Sequence, residues 1–206
     1  MKPDQTVFVI DDEEAVLDSI RMMLERRGYV VRTFNSAEAY LSTMEPGVCG
    51  CIVCDIRLGG LSGLDLHRKV MASGGVLPVI LITGHGDIEM AVRAVKAGAF
   101  DFIEKPFEDT RLYTSVAQAL SAGRELLAKE GELAALTSRV ADLTDRQLQV
   151  MGLVVDGLSN KEIGRRLGIS PRTVETYRAL VMAKTGASSL AELVKISIRL
   201  GMGPPI

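Results

Sequence analysis

Five polar residues follow short apolar runs, and their positions limit the folds that this chain can adopt. The runs are residues 7–10, 51–54, 79–82 and 102–103, and the polar residues at their ends are Asp11, Asp12, Asp55, Thr83 and Lys105. Segments with apolar residues at helical spacing separate the runs, so strands and helices alternate. Such alternation predicts a parallel sheet with helices on both faces, whose ligands bind beyond the carboxyl ends of the strands. We therefore expect the five residues to meet at one edge of the sheet.

The charges at that edge predict a metal and a phosphoryl group. Three carboxylates would repel each other there unless a divalent cation lay among them. Asp11, Asp12 and Asp55 supply hard oxygen ligands, which favour Mg²⁺. Lys105 adds a fixed positive charge that suits an incoming phosphoryl group. Each residue alone has a plainer interpretation, because an aspartate after a strand is often only a helix cap and a lone lysine is often a surface residue.

The arrangement of elements predicts two modules. Residues 1–122 contain five strand–helix units, and the sheet order 2-1-3-4-5 would place Asp11, Asp12 and Asp55 at its switch point. Residues 123–139 favour a helix and are predicted to be a helical joint, with a longer fifth helix as the alternative. Residues 140–206 are predicted to be all-helical, with helices capped by Thr144 and Ser159 and a further helix that begins at Ser170-Pro171.

The first module resembles the receiver domain of two-component response regulators, which has a flavodoxin-like α/β fold. The matching residues are Asp11-Asp12, Asp55, Thr83-Gly84, Phe102 and Lys105-Pro106. The resemblance implies that Asp55 accepts a phosphoryl group from a sensor histidine kinase and becomes a 4-aspartylphosphate. It also implies that Mg²⁺ is held by Asp11, Asp12, Asp55 and the backbone carbonyl of Arg57.

The same resemblance implies a switch. Lys105, before a cis proline, would contact the phosphoryl oxygens, and Thr83 and Phe102 would move so that the surface of the fourth helix, fifth strand and fifth helix can dimerise. Gly59 stands where many receivers have a proline, so a more mobile loop is expected after Asp55. Arg57 stands where haloacid-dehalogenase-like phosphatases have a second carboxylate, which argues against that class. We expect a regulator rather than an enzyme.

The second module has the pattern of a helix–turn–helix unit over residues 160–174. Residues 140–206 carry 9 basic and 6 acidic residues, whereas residues 1–139 carry 15 and 20, so the positive charge lies in the second module. Such charge hints at a polyanion, and the second helix of the unit would enter the major groove. The candidates for base contacts are Glu175, Thr176 and Ala179, and those for phosphate contacts are Lys161, Arg172, Thr173, Arg178 and Lys184. Some of these can equally be solvated surface charges.

Three segments of the second module resemble the LuxR-type helix–turn–helix domain. They are Leu143–Gln147, Asn160–Ile163 and Thr173–Glu175. The whole chain is similar to the FixJ branch of these response regulators. That resemblance implies a phosphorylation-dependent homodimer that binds double-stranded DNA, acts with RNA polymerase and activates nitrogen-fixation or oxygen-responsive genes.

The sequence also bears on other functions, on location and on the cysteine and histidine residues. A ligand-responsive LuxR regulator would need an aromatic-lined pocket, and aromatic residues make up only 4% of the chain. A signalling scaffold that binds RNA or protein remains an alternative. The chain has no apolar run of about 18 residues that could span a bilayer and no signal-peptide pattern, so a cytoplasmic protein without membrane partners is expected. Cys51 and Cys54 are expected to be buried strand residues, His67 a helix-surface residue and His85 a loop residue.

Overall fold

The computed structural model describes residues 6–44, 47–73, 77–84 and 88–202, and for residues 88–91 it describes the backbone alone. The chain divides into two compact units, Met1–Ala128 and Lys129–Ile206. Among the described residues, no helix is long and apolar enough to cross a membrane.

The first unit alternates strands and helices, as the sequence predicts. Its elements are β1 (Thr6–Ile10), α1 (Glu14–Glu25), β2 (Val30–Phe34), α2 (Ala37–Leu41), β3 (Gly50–Asp55), α3 (Gly63–Ala72), β4 (Val79–Thr83), α4 (Ile88–Lys96), β5 (Asp101–Glu104) and α5 (Asp109–Ala141). The strands form one parallel sheet in the order β2-β1-β3-β4-β5, which confirms the predicted order. The Lys105–Pro106 peptide bond is cis, as the resemblance implied.

The apolar strands are covered on both faces. Every residue of β3 and β4 is buried. Along β1, Val7 and Val9 pack in one core with α1 and α5, whereas Phe8 and Ile10 pack in a second core with α2 and α3. Successive side chains of a strand point to opposite faces, so one apolar run supplies both cores. The sheet is therefore fixed on both sides, and its carboxyl edge is held in place.

The fifth helix is longer than its predicted core segment. It runs without a break from Asp109 to Ala141. The predicted helical joint is therefore helical, and the alternative of a longer fifth helix is the one observed. The ends of a linker at residues 123–139, and the domain limits drawn on either side of it, stay a prediction.

The described part of the second unit, up to residue 202, contains four further helices. They are α6 (Asp145–Val155), α7 (Asn160–Leu167), α8 (Pro171–Thr185) and α9 (Leu190–Arg199). Thr144 and Ser159 each form a capping box, with Gln147 and Glu162 respectively, and Ser170 accepts a hydrogen bond from the N–H of Thr173. These side chains satisfy amide groups that a helix N-terminus leaves without partners. A third core, which includes Val150, Ile163 and Val181, joins the four helices.

Candidate functional site

Three of the predicted residues meet at the carboxyl edge of the sheet. Asp11 follows β1, Asp55 ends β3 and Lys105 follows β5. The Nζ atom of Lys105 lies 3.0 Å from Oδ2 of Asp11 and 2.8 Å from Oδ1 of Asp55. Asp11 is 2% exposed and Asp55 is 7% exposed, so the ammonium group forms ion pairs with two buried carboxylates.

The ion pairs hold Lys105 in its charged form. Burial by itself lowers the pKa of Lys105, but the hydrogen bonds to Asp55 and Asp11 outweigh it, and the pKa lies above its usual value. A carboxylate within hydrogen-bonding distance favours the ionised form of a lysine. The site therefore keeps a permanent cation beside the Asp55 carboxylate.

The remaining oxygens of the two carboxylates accept backbone hydrogen bonds. The N–H of Glu13 donates to Oδ1 of Asp11 at 3.0 Å, and the N–H of Arg57 donates to Oδ2 of Asp55 at 2.6 Å. Both bonds come from the residue two positions later, which is the geometry of an Asx turn. The turns fix the direction of each carboxylate where its strand ends.

Asp12 and Arg57 lie at the open side of this cluster. Both residues are exposed. A Cβ atom at Gly59 would lie 3.8 Å from Oδ2 of Asp12, so the Asp12 carboxylate faces the loop after β3. A Cβ atom at Gly84 would lie 3.5 Å from the guanidinium of Arg57, which therefore reaches towards the end of β4.

The two predicted switch residues differ in burial. Thr83 is 1% exposed at the end of β4, and its hydroxyl has no hydrogen-bond partner within the described part of the chain. A buried hydroxyl without a partner is costly, and such groups are found where a ligand supplies the partner. Phe102 is half-buried in β5 and packs against the second core.

The donor set has the chemistry of a Mg²⁺ site. Asp11, Asp12 and Asp55 offer carboxylate oxygens at one rim, and the carbonyl of Arg57 belongs to the adjoining loop. In the described ranges, however, no three acidic, histidine or cysteine side chains are grouped closely enough to hold a metal ion. Lys105 bridges two of the carboxylates instead, and the third faces the loop. The residues present fit the cation, and their predicted role as ligands stays a prediction.

The histidine and cysteine predictions had different outcomes. The prediction that His67 lies on a helix surface was wrong, because this residue is 1% exposed and its Nε2 atom lies 2.9 Å from the carbonyl oxygen of Ala97. Cys51 and Cys54 are buried in β3, as predicted, and burial raises the pKa of both thiols. His85 lies outside the described residues.

The second candidate site is the pair α7 and α8. A Cβ atom at Gly164 would lie 2.7 Å from the carbonyl oxygen of Ile169, so only glycine permits this close approach of the two segments. Gly168 ends α7 in the left-handed conformation, with φ of 67°. The tight turn leaves the N-terminal half of α8 at the surface, which is the placement that a recognition helix requires.

The predicted DNA-contact residues are not equally available. Lys161, Arg172, Glu175, Thr176 and Ala179 are exposed. Among these, Thr176 donates from its Oγ1 atom to the carbonyl oxygen of Arg172 at 3.2 Å, and the remaining candidates also make bonds within the unit. Arg178 donates to Oδ1 of Asn160 at 2.9 Å, the Oγ1 atom of Thr173 lies 2.8 Å from Oγ of Ser170, and Lys184 donates to the carbonyl oxygen of Asp142 and to Oε1 of Gln147 at 2.8 and 3.1 Å.

Two side chains hold these sites together without any local sequence signal. Glu38 on α2 accepts a hydrogen bond from the N–H of Leu61, in the loop after β3, at 2.9 Å. Arg146 on α6 donates to the carbonyl oxygen of Leu167, at the end of α7. Their partners lie 23 and 21 positions away, so no local pattern could reveal them.

Comparison with known proteins assigns each unit to a family. Residues 7–117 match the response regulator receiver domain, and residues 141–197 match the bacterial regulatory proteins of the luxR family. Over 197 residues, 95% of this chain and 96% of the relative, the chain is 44% identical to the transcriptional regulatory protein FixJ of Bradyrhizobium diazoefficiens.

Two further likenesses cover nearly the whole chain. The C4-dicarboxylate transport transcriptional regulatory protein DctR of Rhodobacter capsulatus is 41% identical over 194 residues, which are 93% of this chain and 98% of that protein. The solved structure of the response regulator StyR has a TM-score of 0.83 and 38% identity, and covers 95% of this chain and 99% of its own.

Proposed function

Because this chain belongs to the response regulators that join a receiver domain to a LuxR-type DNA-binding domain, we propose that Asp55 is the residue that a sensor histidine kinase phosphorylates. Phosphorylation activates such a chain as a transcription regulator. One observation supports the choice of Asp55 above the others. Its carboxylate ends β3, the central strand of the sheet, and is more exposed than that of Asp11, and it is held by the ammonium of Lys105 and the N–H of Arg57.

The transfer requires an oxygen nucleophile in line with phosphorus. An Asp55 oxygen forms the new O–P bond as the P–N bond of the kinase phosphohistidine breaks, and the imidazole leaves with the bonding electrons. Lys105 already lies 2.8 Å from Oδ1 of Asp55, so its charge is in place for the phosphoryl oxygens. Asp11, Asp12, Asp55 and the Arg57 carbonyl would hold Mg²⁺, which supplies positive charge that screens the phosphoryl oxygens.

Thr83 and Phe102 form the proposed switch. The buried hydroxyl of Thr83 would gain its hydrogen-bond partner from a phosphoryl oxygen, which favours a shift of Thr83 towards Asp55. Phe102, half-buried on the neighbouring strand, would follow into the space that Thr83 vacates. The surface of α4, β5 and α5 would change as a result, and two receivers would pair through it.

The second unit would read promoter DNA through α8. Glu175, Thr176 and Ala179 are exposed on one helix and would contact base edges, whereas Lys161 and Arg172 would contact phosphates. Thr173, Arg178 and Lys184 would have to exchange an internal bond for a phosphate. Two copies on a symmetric site would bind more tightly than one, since the second contact becomes intramolecular.

The genes under control follow from the relatives only. The likeness to FixJ supports activation, with RNA polymerase, of nitrogen-fixation or oxygen-responsive genes. DctR, a relative of similar identity, is named for C4-dicarboxylate transport instead. We assign the protein to the cytoplasm, where kinase and promoter DNA meet.

Phosphorylation can be tested directly. The full chain is incubated with Mg²⁺ and acetyl phosphate, and the gain of one phosphoryl group is measured by mass spectrometry and mapped. Asp55→Asn should abolish the gain, and the matched control Asp18→Asn, on the exposed side of α1, should retain it. A gel shift on promoter DNA should strengthen with phosphorylation in wild type and Asp18→Asn alone. Persistent labelling of Asp55→Asn at another residue contradicts the assignment.

A further inference from the structure

The loop that follows the proposed phosphoacceptor accepts a side-chain anchor from α2, where Glu38 bonds to its backbone. This loop, residues 56–62, joins β3 to α3 and contains Gly59 and Gly60 where the sequence predicts mobility. Neither glycine has a positive φ, so neither uses the left-handed conformation that glycine alone adopts readily. The effect of a side chain at position 60 is therefore set by what surrounds it.

Gly60 lies against the carboxylate of Glu38. A Cβ atom at position 60 would lie 2.6 Å from Oε1 of Glu38, closer than such atoms approach. The same oxygen accepts the N–H of Leu61 at 2.9 Å. This N–H group holds the pKa of Glu38 below its usual range, so the side chain is ionised at neutral pH and accepts the bond as a carboxylate.

Other hydrogen bonds hold the two ends of the loop, on either side of the Glu38–Leu61 bond. The N–H of Arg57 donates to Asp55, and the N–H of Gly63 donates to the carbonyl oxygen of Ile56 at 3.0 Å. Between them, the N–H of Leu61 donates to Glu38, a side chain that belongs to neither β3, α3 nor the loop itself. Leu58 and Leu61 also pack against the second core, so the Glu38 carboxylate adds a directional polar contact to non-directional apolar ones in a segment without proline.

We propose that Glu38 is a positioning residue for the phosphoacceptor site: its carboxylate fixes the loop whose Arg57 carbonyl completes the Mg²⁺ site beside Asp55. The inference rests on the proposed function, because it concerns the metal that phosphoryl transfer to Asp55 requires. Glu38 acts through the loop and does not touch the phosphoryl group. In this chain it restrains the segment that a proline restrains in many receivers.

The test compares substitutions on both sides of the contact in the full chain. Glu38→Ala removes the acceptor, and Gly60→Ala displaces it with a methyl group. Glu38→Gln keeps an oxygen that can accept from Leu61 but loses the charge. Glu14→Ala removes a carboxylate from the exposed first turn of α1 and reports the effect of charge alone.

Two readouts follow the loop and the metal. Hydrogen exchange at the Leu61 amide should be about tenfold faster in Glu38→Ala and Gly60→Ala than in wild type. The dissociation constant for Mg²⁺, measured by calorimetric titration without phosphorylation, should rise about threefold to tenfold in both. Glu38→Gln should stay near wild type, and the double variant Glu38→Ala/Gly60→Ala should bind Mg²⁺ no more weakly than either single variant.

The outcomes separate this inference from the proposed function. If wild type binds Mg²⁺ and is labelled at Asp55 while Glu38→Ala binds Mg²⁺ equally well, the positioning role is overturned and the function stands. Equal weakening in Glu38→Gln, Glu38→Ala and Glu14→Ala would show that charge alone acts, and would also overturn it. If wild type neither binds Mg²⁺ nor is labelled at Asp55, both proposals fail. Thermal midpoints are measured throughout, since a merely structural contact would lower them without changing Mg²⁺ affinity.

Discussion

The buried hydroxyl group of Thr83 should destabilise the fold, because it has no hydrogen-bond partner among the described residues. Thr83→Val exchanges a buried hydroxyl without a partner for a methyl group of similar size, so the free energy of unfolding should rise by about 1 kcal/mol. The same substitution removes the proposed phosphate ligand, so phosphorylation should no longer strengthen DNA binding. Urea denaturation and gel shifts measure the two effects.

Thr185 provides a matched control. It is equally buried, but its Oγ1 atom donates to the carbonyl oxygen of Val181 at 2.7 Å. Thr185→Val should therefore lower the free energy of unfolding by about 1 kcal/mol. A loss of stability in Thr83→Val as large as that in Thr185→Val would mean that the Thr83 hydroxyl has a partner.

Residue positions were predictable where strand order alone decided them. Asp11, Asp55 and Lys105 end or follow parallel strands, so any such sheet brings them to one edge. The bridging of both carboxylates by Lys105 was not predictable, because it depends on the direction of one flexible side chain. His67 was misplaced because a histidine beside charged residues suggests a surface, and its partner Ala97 lies 30 positions away.

At the scale of elements, Asp101 joins β5 to α5 and should matter for stability. Its carboxylate accepts two hydrogen bonds from Arg111, one from Ser115 and one from the N–H of Phe102. Burial raises the pKa of Asp101, but these bonds outweigh it and the pKa lies below its usual value. Asp101→Asn should lower the free energy of unfolding by about 1–2 kcal/mol at neutral pH, a range already reduced for the solvent exposure of Arg111.

The pH dependence and a control test this prediction. A lowered pKa in the folded state contributes stability above the unfolded pKa of about 3.9, and that stability is lost as the pH falls through the folded value. The difference between wild type and Asp101→Asn should therefore shrink in acid. Asp18→Asn breaks an exposed pair with Arg21 and should cost about 0.5 kcal/mol or less. Equal losses in the two variants would contradict the role given to Asp101.

Two cations of α8 should separate DNA contact from folding. Arg172 is exposed near the start of the helix, so Arg172→Ala should weaken DNA binding and reduce the slope of log affinity against log salt by about 1. Lys184 bonds to Asp142 and Gln147, so Lys184→Ala should lower the thermal midpoint of the second unit and leave that slope unchanged. A reduced salt slope in Lys184→Ala would show instead that Lys184 exchanges its internal bonds for a phosphate contact.

Helix limits were predictable because their signals are local. Thr144, Ser159 and Ser170 each cap the helix expected of them. The continuity of α5 is not predictable in the same way, because residues 123–139 favour a helix whether they form a separate joint or extend the fifth helix. The Glu38–Leu61 contact joins two elements that no periodicity relates.

At the scale of the whole molecule, each unit has its own core. Val116 on α5 packs in the first unit and Val150 on α6 in the second, and both are fully buried. Each valine→alanine substitution removes the two γ-methyl groups from a buried side chain and should lower the free energy of unfolding by about 2 kcal/mol. The two variants are matched in residue type, burial and secondary structure, so they differ only in the unit that each affects.

In the full chain, each variant should destabilise its own unit and leave the other unit intact. Val150→Ala should lower the unfolding temperature of the second unit and weaken DNA binding on warming, while phosphoryl labelling of Asp55 persists. Val116→Ala should lower the unfolding temperature of the first unit, so phosphoryl labelling of Asp55 should be lost on warming before the second unit unfolds. Scanning calorimetry, labelling and gel shifts on the same samples follow the two units separately. If both variants lost both activities at one temperature, the two cores would unfold as a single cooperative unit, because neither could then persist without the other.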